Sequence, residues 1–121
     1  MLSSATRHRV SRDDQLDAVF HALGDRTRRA LLARLAKRPA MITELAKPFT
    51  MSLPAVSRHI RVLERAGLVT RAVDGRMHQC SLTGAPLATI EGWLHHYRHF
   101  WERSLDSLAR YVESSGDKER R

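Results

Sequence analysis

The chain has 121 residues, with 21 Lys and Arg against 13 Asp and Glu, a formal net charge of +8 and a pI near 11.0. That length suits one domain whose core a second copy can complete, and the basic excess points to a polyanion, nucleic acid ahead of a membrane surface. No apolar run approaches a membrane span of about 18 residues, no signal-peptide core opens the chain, and the single Cys80 excludes an intrachain disulfide; a cytoplasmic protein without a membrane partner is expected.

Residues 1–12 are polar and basic without periodicity and read as a flexible arm. Ser11 followed by Asp14 is a capping signal for a first helix that Gly24 closes, with Leu16, Val19, Phe20 and Leu23 on one apolar stripe. Asp25 caps a second helix, from Arg26 to about Arg38, stopped by Pro39. Ala30, Leu31 and Leu35 are expected inward, and the arginines outward. A short third helix runs from Ile42 to about Lys47, and Pro48–Met51 forms the turn out of it.

Ser52 caps the next helix, Pro54 sits in its first turn where a missing N–H costs little, and Gly67 supplies a left-handed stop. Leu53, Val56, Ile60 and Leu63 recur at three- and four-residue spacing and are expected in the core. Pro54, Arg58, Arg61 and Arg65 share the opposite stripe. Two short helices joined by a tight turn, the second one basic, make a helix-turn-helix. Its recognition helix, residues 52–66, offers Ser52, Pro54, Ala55, Ser57, Arg58, His59, Arg61 and Arg65 to DNA. A solvated basic face is the plain alternative for such a helix.

Leu68–Val73 and Arg76–Leu82 read as strands, and Asp74-Gly75 between them predicts a type I′ hairpin with positive φ at both residues. A hairpin placed there is a wing, spanning about 69–82, with Arg71, Arg76 and His78 at its tip to meet phosphates. The fold class expected is mainly α with a small β-hairpin wing. Turn, basic helix and basic wing together favour duplex DNA over the plain alternative.

Thr83–Pro86 breaks the strand and opens a long helix, residues 86–114. Ile90, Trp93, Leu94, Tyr97, Trp101, Leu105 and Leu108 mark its apolar stripe. About 28 residues at 1.5 Å each make roughly 42 Å of helix, more than a domain this small covers alone. The stripe therefore reads as a homodimer seam shared with Leu16, Val19, Phe20 and Leu23 of the first helix. Residues 13–114 make the winged domain, and 115–121 a disordered tail.

With these elements placed, the chain resembles the ArsR/SmtB family of winged helix-turn-helix repressors. The resemblance rests on Leu23-Gly24-Asp25-Arg26-Thr27-Arg28-Arg29-Ala30-Leu31-Leu32, Thr43-Glu44-Leu45-Ala46, Ala55–Leu63, Ala66–Val69 and Gly75-Arg76. It implies a homodimer on a near-palindromic operator, blocking transcription until a signal releases it; a small-molecule inducer of unspecified chemistry fits that role. The family's metal patterns are not met. Met41, Ile42 and Thr43 supply no thiol on the third helix, and Pro86 and Ala88 stand where the first half of the C-terminal site belongs. Glu91, His95 and His99 share one helix face and read as its polar flank rather than as a metal site. The expectation is the metal-independent branch, with no cofactor. An enzyme is not expected, since no catalytic constellation is present. The rival readings are a protein- or RNA-binding winged-helix adaptor, a metal-responsive repressor using the C-terminal histidines, and a ligand-binding dimer with its pocket near Trp93, Tyr97 and Trp101.

Overall fold

The structure is a computed structural model and describes residues 12–119. The expected arm and the Ser11 cap lie outside them, apart from Arg12. The elements are α1 (Arg12–Leu23), α2 (Arg26–Leu35), β1 (Ala40–Met41), α3 (Ile42–Ala46), α4 (Leu53–Arg65), β2 (Val69–Asp74), β3 (Met77–Leu82) and α5 (Ala85–Glu119). They fall into two compact units, one through Ala88 and one from Thr89.

In the first unit, local chemistry sets the helix ends. The Asp25 carboxylate accepts the Arg28 N–H at 3.0 Å and so caps α2, while Ser52 Oγ accepts the Ala55 N–H at 3.3 Å and caps α4. At the far end of α4, Gly67 has φ +78°. The Leu68 N–H reaches Leu63 O and the Gly67 N–H reaches Glu64 O, both at 2.9 Å, the paired bonds of a Schellman stop. Leu63 and Leu68, the apolar pair of that stop, are fully buried.

Two arginines of α2 satisfy carbonyls at the end of α1. Arg28 donates from Nε to Ala22 O at 2.7 Å and from Nη2 to His21 O at 3.0 Å, and Arg29 donates to Leu23 O at 2.7 Å. Part of the basic run is therefore structural. The second helix is shorter than expected: α2 ends at Leu35, Ala36 still donates to Leu32 O in helical fashion, and Lys37 closes a tighter turn onto Arg34 O before Pro39 is reached.

The core gathers Val19 and Ala22 of α1, Leu31, Leu32 and Leu35 of α2, Leu45 of α3, Val56, Ile60 and Leu63 of α4, and Leu68, Val69 and Cys80. Each large side chain so buried contributes about 1.5–3 kcal/mol. Two expectations fail here. Ala30 is exposed while Leu32 faces inward, and Leu53 is 46% exposed although it is in phase with Val56, Ile60 and Leu63.

The wing belongs to a three-stranded antiparallel sheet ordered β1-β3-β2. Its third strand, β1, has no counterpart among the expected elements; there Ala40 and Met41 pair with Cys80 and Gln79. The hairpin turn also moves by one residue. Asp74 pairs with Met77, so the loop is Gly75-Arg76. Gly75 has φ +62°, and no non-glycine residue among those described has positive φ. That is the sign pattern of a type II′ turn, with glycine first, instead of the expected I′.

The second unit is the remainder of α5. This helix starts at Ala85 and runs to Glu119, five residues past Ser114 and through most of the stretch expected to be a tail.

Candidate nucleic-acid interface

The recognition helix α4 carries its charge outward. Pro54, Arg58, Arg61 and Arg65 are exposed, and among the described residues these three arginines make no hydrogen bond or ion pair. Their stripe lies opposite Val56, Ile60 and Leu63, which the core holds. Ser52 is exposed with Oγ engaged in the cap, and Ala55 and Ser57 are half-buried.

His59 points elsewhere. Its Nδ1 accepts from Arg28 Nη1 at 3.3 Å and lies 3.7 Å from the Asp25 carboxylate, so it ties α4 to the α1–α2 corner. The Arg28 N–H donated to Asp25 holds that carboxyl below its ordinary value, against a partial desolvation, with the Arg28 guanidinium and His59 adding to the effect.

Arg71 is also turned inward. It sits opposite Cys80 in the register rather than at the hairpin tip, its side chain is only 15% exposed, and its Nη2 donates to Glu64 Oε1 of α4 at 2.6 Å. Nη1 donates to His78 Nδ1 at 3.4 Å, while Nε is buried without a partner. His78 is half-buried and Arg76 is exposed in the turn, with no partner among the described residues. Beneath them Cys80 is fully buried, and desolvation pushes its thiol up, with Arg71 partly opposing. Among the proposed wing contacts, only Arg76 is both exposed and uncommitted.

Between the start of α4 and the wing lies an open concavity of about 330 Å³. Met41, Ile42, Leu53 and Pro54 give it apolar walls, and Arg76 and His78 line it from the wing. Periodicity places Leu53 in the core, yet it is exposed here, a feature that spacing alone does not reveal.

Of the residues expected at a dimer seam, Val19 and Ile90 are buried within the protomer, and Leu16, Leu23 and Leu94 are half-buried. Phe20, Trp93, Tyr97, Trp101, Leu105 and Leu108 are exposed, as are Phe100, Tyr111 and Val112 further round or along α5. The Trp93 and Tyr97 rings lie 5.0 Å apart, tilted by 53°. Among the described residues no group of three or more His, Cys, Asp or Glu is placed to hold a metal ion, and no helix is long and apolar enough to cross a membrane.

Residues 23–72, the span from the end of α1 into β2, match a helix-turn-helix domain family. Over 103 residues the chain is 41% identical to the HTH-type transcriptional regulator Rv2034 of Mycobacterium tuberculosis, covering 84% of this chain and 92% of that protein. The crystal structure of the ArsR family transcriptional regulator RHA00566 superposes with a TM-score of 0.71 at 42% identity, covering 74% of this chain and 93% of that one. This chain belongs to the ArsR family. As an ArsR-family winged helix-turn-helix regulator it carries a DNA-binding domain, and its matched relatives are transcriptional regulators. A more distant ArsR-like neighbour from Mycobacterium bovis, a winged helix-turn-helix DNA-binding domain described as homodimeric, shares the fold at 23% identity, covering 71% of this chain and 80% of that one with a TM-score of 0.57.

Proposed function

We propose that this ArsR-family protein is a homodimeric repressor that binds a near-palindromic operator through α4 and the wing. The observation that carries the reading is the stripe of Arg58, Arg61 and Arg65, exposed and without partners among the described residues, on a helix whose other face is anchored in the core. Guanidinium groups on a recognition helix suit both guanine edges and phosphates. A protein adaptor has no need of three uncommitted arginines there. Arg76 in the wing supplies a further cation for the backbone beside the groove.

The homodimer reading is supported by the apolar stripe of α5, where Trp93, Tyr97, Trp101, Leu105 and Leu108 remain exposed. An apolar stripe of that length left in water is unusual for a monomer. The homodimeric M. bovis neighbour supports it as well. Repression follows from occupancy, since a dimer seated on an operator blocks whatever else must bind there. The releasing signal is not a thiol-bound metal at the third helix, where Met41, Ile42 and Thr43 stand. This reading excludes an enzyme and puts the site of action on cytoplasmic DNA.

Selection of bound fragments from random duplexes tests the DNA half. Enrichment of a two-fold symmetric site with half-sites about one helical turn apart is expected; a library that stays unenriched refutes it. Sedimentation tests the dimer. The intact chain should sediment as a dimer at micromolar concentration, and Leu105→Glu should shift it to monomer and weaken operator binding. A folded wild-type monomer at that concentration refutes the dimer.

A further inference from the structure

We propose that Leu53 reads the 5-methyl group of a thymine in each operator half-site. The inference rests on the DNA-binding reading above and adds a residue that the arginine stripe does not include. Leu53 is the first residue of α4, the end of a recognition helix that approaches base edges most closely. Helical phase puts it with Val56, Ile60 and Leu63, each completely buried, yet Leu53 keeps 46% of its surface open. The protomer's own packing leaves this large side chain unfinished.

What surrounds Leu53 indicates the occupant. Pro54, Met41 and Ile42 extend the apolar wall, while Arg76 and His78 stand on the wing side of the same concavity. Apolar walls beside the Arg76 guanidinium match a duplex, whose thymine methyls project into the major groove between lines of phosphate. Ser57 also lines the concavity, and the next residue is the exposed Arg58. The leucine and the exposed arginine thus lie within the first two turns of one helix, on different faces of it.

The test uses the full chain and its selected operator, with each thymine replaced in turn, in both half-sites, by deoxyuridine, which lacks only the methyl. Wild type should lose about fourfold in affinity per half-site at one symmetric pair of positions and be insensitive at thymines outside the recognition-helix footprint. Leu53→Ala should bind the unmodified operator more weakly and no longer distinguish thymine from deoxyuridine at that pair. Leu53→Met, which keeps an apolar end, should retain the discrimination. Circular dichroism and thermal melting confirm that each variant is folded. A wild type indifferent to deoxyuridine at every position overturns the proposal, as does a Leu53→Ala protein that keeps the same penalty. Wild-type affinity on a scrambled duplex is measured alongside. Equal binding to operator and scrambled DNA would refute sequence-specific recognition itself, whereas an operator preference without a methyl effect refutes the role of Leu53 alone.

Discussion

Glu64 in the last turn of α4 and Arg71 on the first strand of the wing meet at 2.6 Å, joining α4 to the hairpin beside it. Arg71 is largely buried and its Nε already lacks a partner, so the guanidinium depends on Glu64 for compensation. Glu64→Ala leaves that charge largely buried without its carboxylate, which should cost about 1–3 kcal/mol. Urea unfolding should show a lower midpoint with an unchanged slope. Replacing both partners by Met removes the stranded charge and should recover most of the loss. A neutral Glu64→Ala would mean that the pair adds nothing to stability.

Asp25 makes the cap of α2 dependent on pH. The Arg28 N–H donated to its carboxylate lowers the folded pKa below the unfolded value. The contribution of the cap is therefore complete above the unfolded pKa and is lost as pH falls through the folded one. Asp25→Ala should be about 0.5–2 kcal/mol less stable near neutrality, with the gap to wild type narrowing below about pH 4. Asp25→Asn keeps an acceptor and should flatten that pH dependence. Denaturant midpoints for the three proteins across the acid range check it; a gap that stays constant down to the lowest pH would contradict the cap assignment.

What the sequence disclosed, and what it hid, divides by the range of the interaction. Ser52, Asp25 and Gly67 were legible as helix ends because a cap is a contact within three to five residues. The arginine stripe of α4 was legible because a single helical period defines it. Strand β1 was not, since two residues carry no periodicity and Ala40 finds its partner Cys80 forty residues later. The turn at Gly75 was misplaced by one residue because register across the hairpin, not the Asp-Gly pair, decides which two residues form the loop. By their positions in the recognition helix and the wing, His59 and Arg71 are expected at DNA, whereas their partners Arg28, Asp25 and Glu64 become neighbours only on folding. The phase of Leu53 points to the core, whereas the structure leaves it 46% exposed at the edge of a concavity, a property that helical phase does not encode.

Arg58 and Arg76 should separate reading from holding. Arg58 lies in the second turn of α4, exposed and without a partner among the described residues, and its guanidinium can donate two hydrogen bonds to guanine O6 and N7, worth about 1–3 kcal/mol of discrimination. Arg76 occupies the second position of the wing turn, where the proposed partner is a phosphate that carries no sequence information. Arg58→Ala should therefore weaken the operator far more than scrambled DNA and relax preference at one symmetric pair of positions. Arg76→Ala should weaken both by similar factors and reduce the slope of log K against log salt by roughly one to two units for a dimer. Binding curves for both variants on both duplexes at several salt concentrations decide between the roles. If Arg58→Ala lowers the two affinities in parallel, Arg58 holds phosphate, and base reading falls to Arg61 or to the apolar start of the helix.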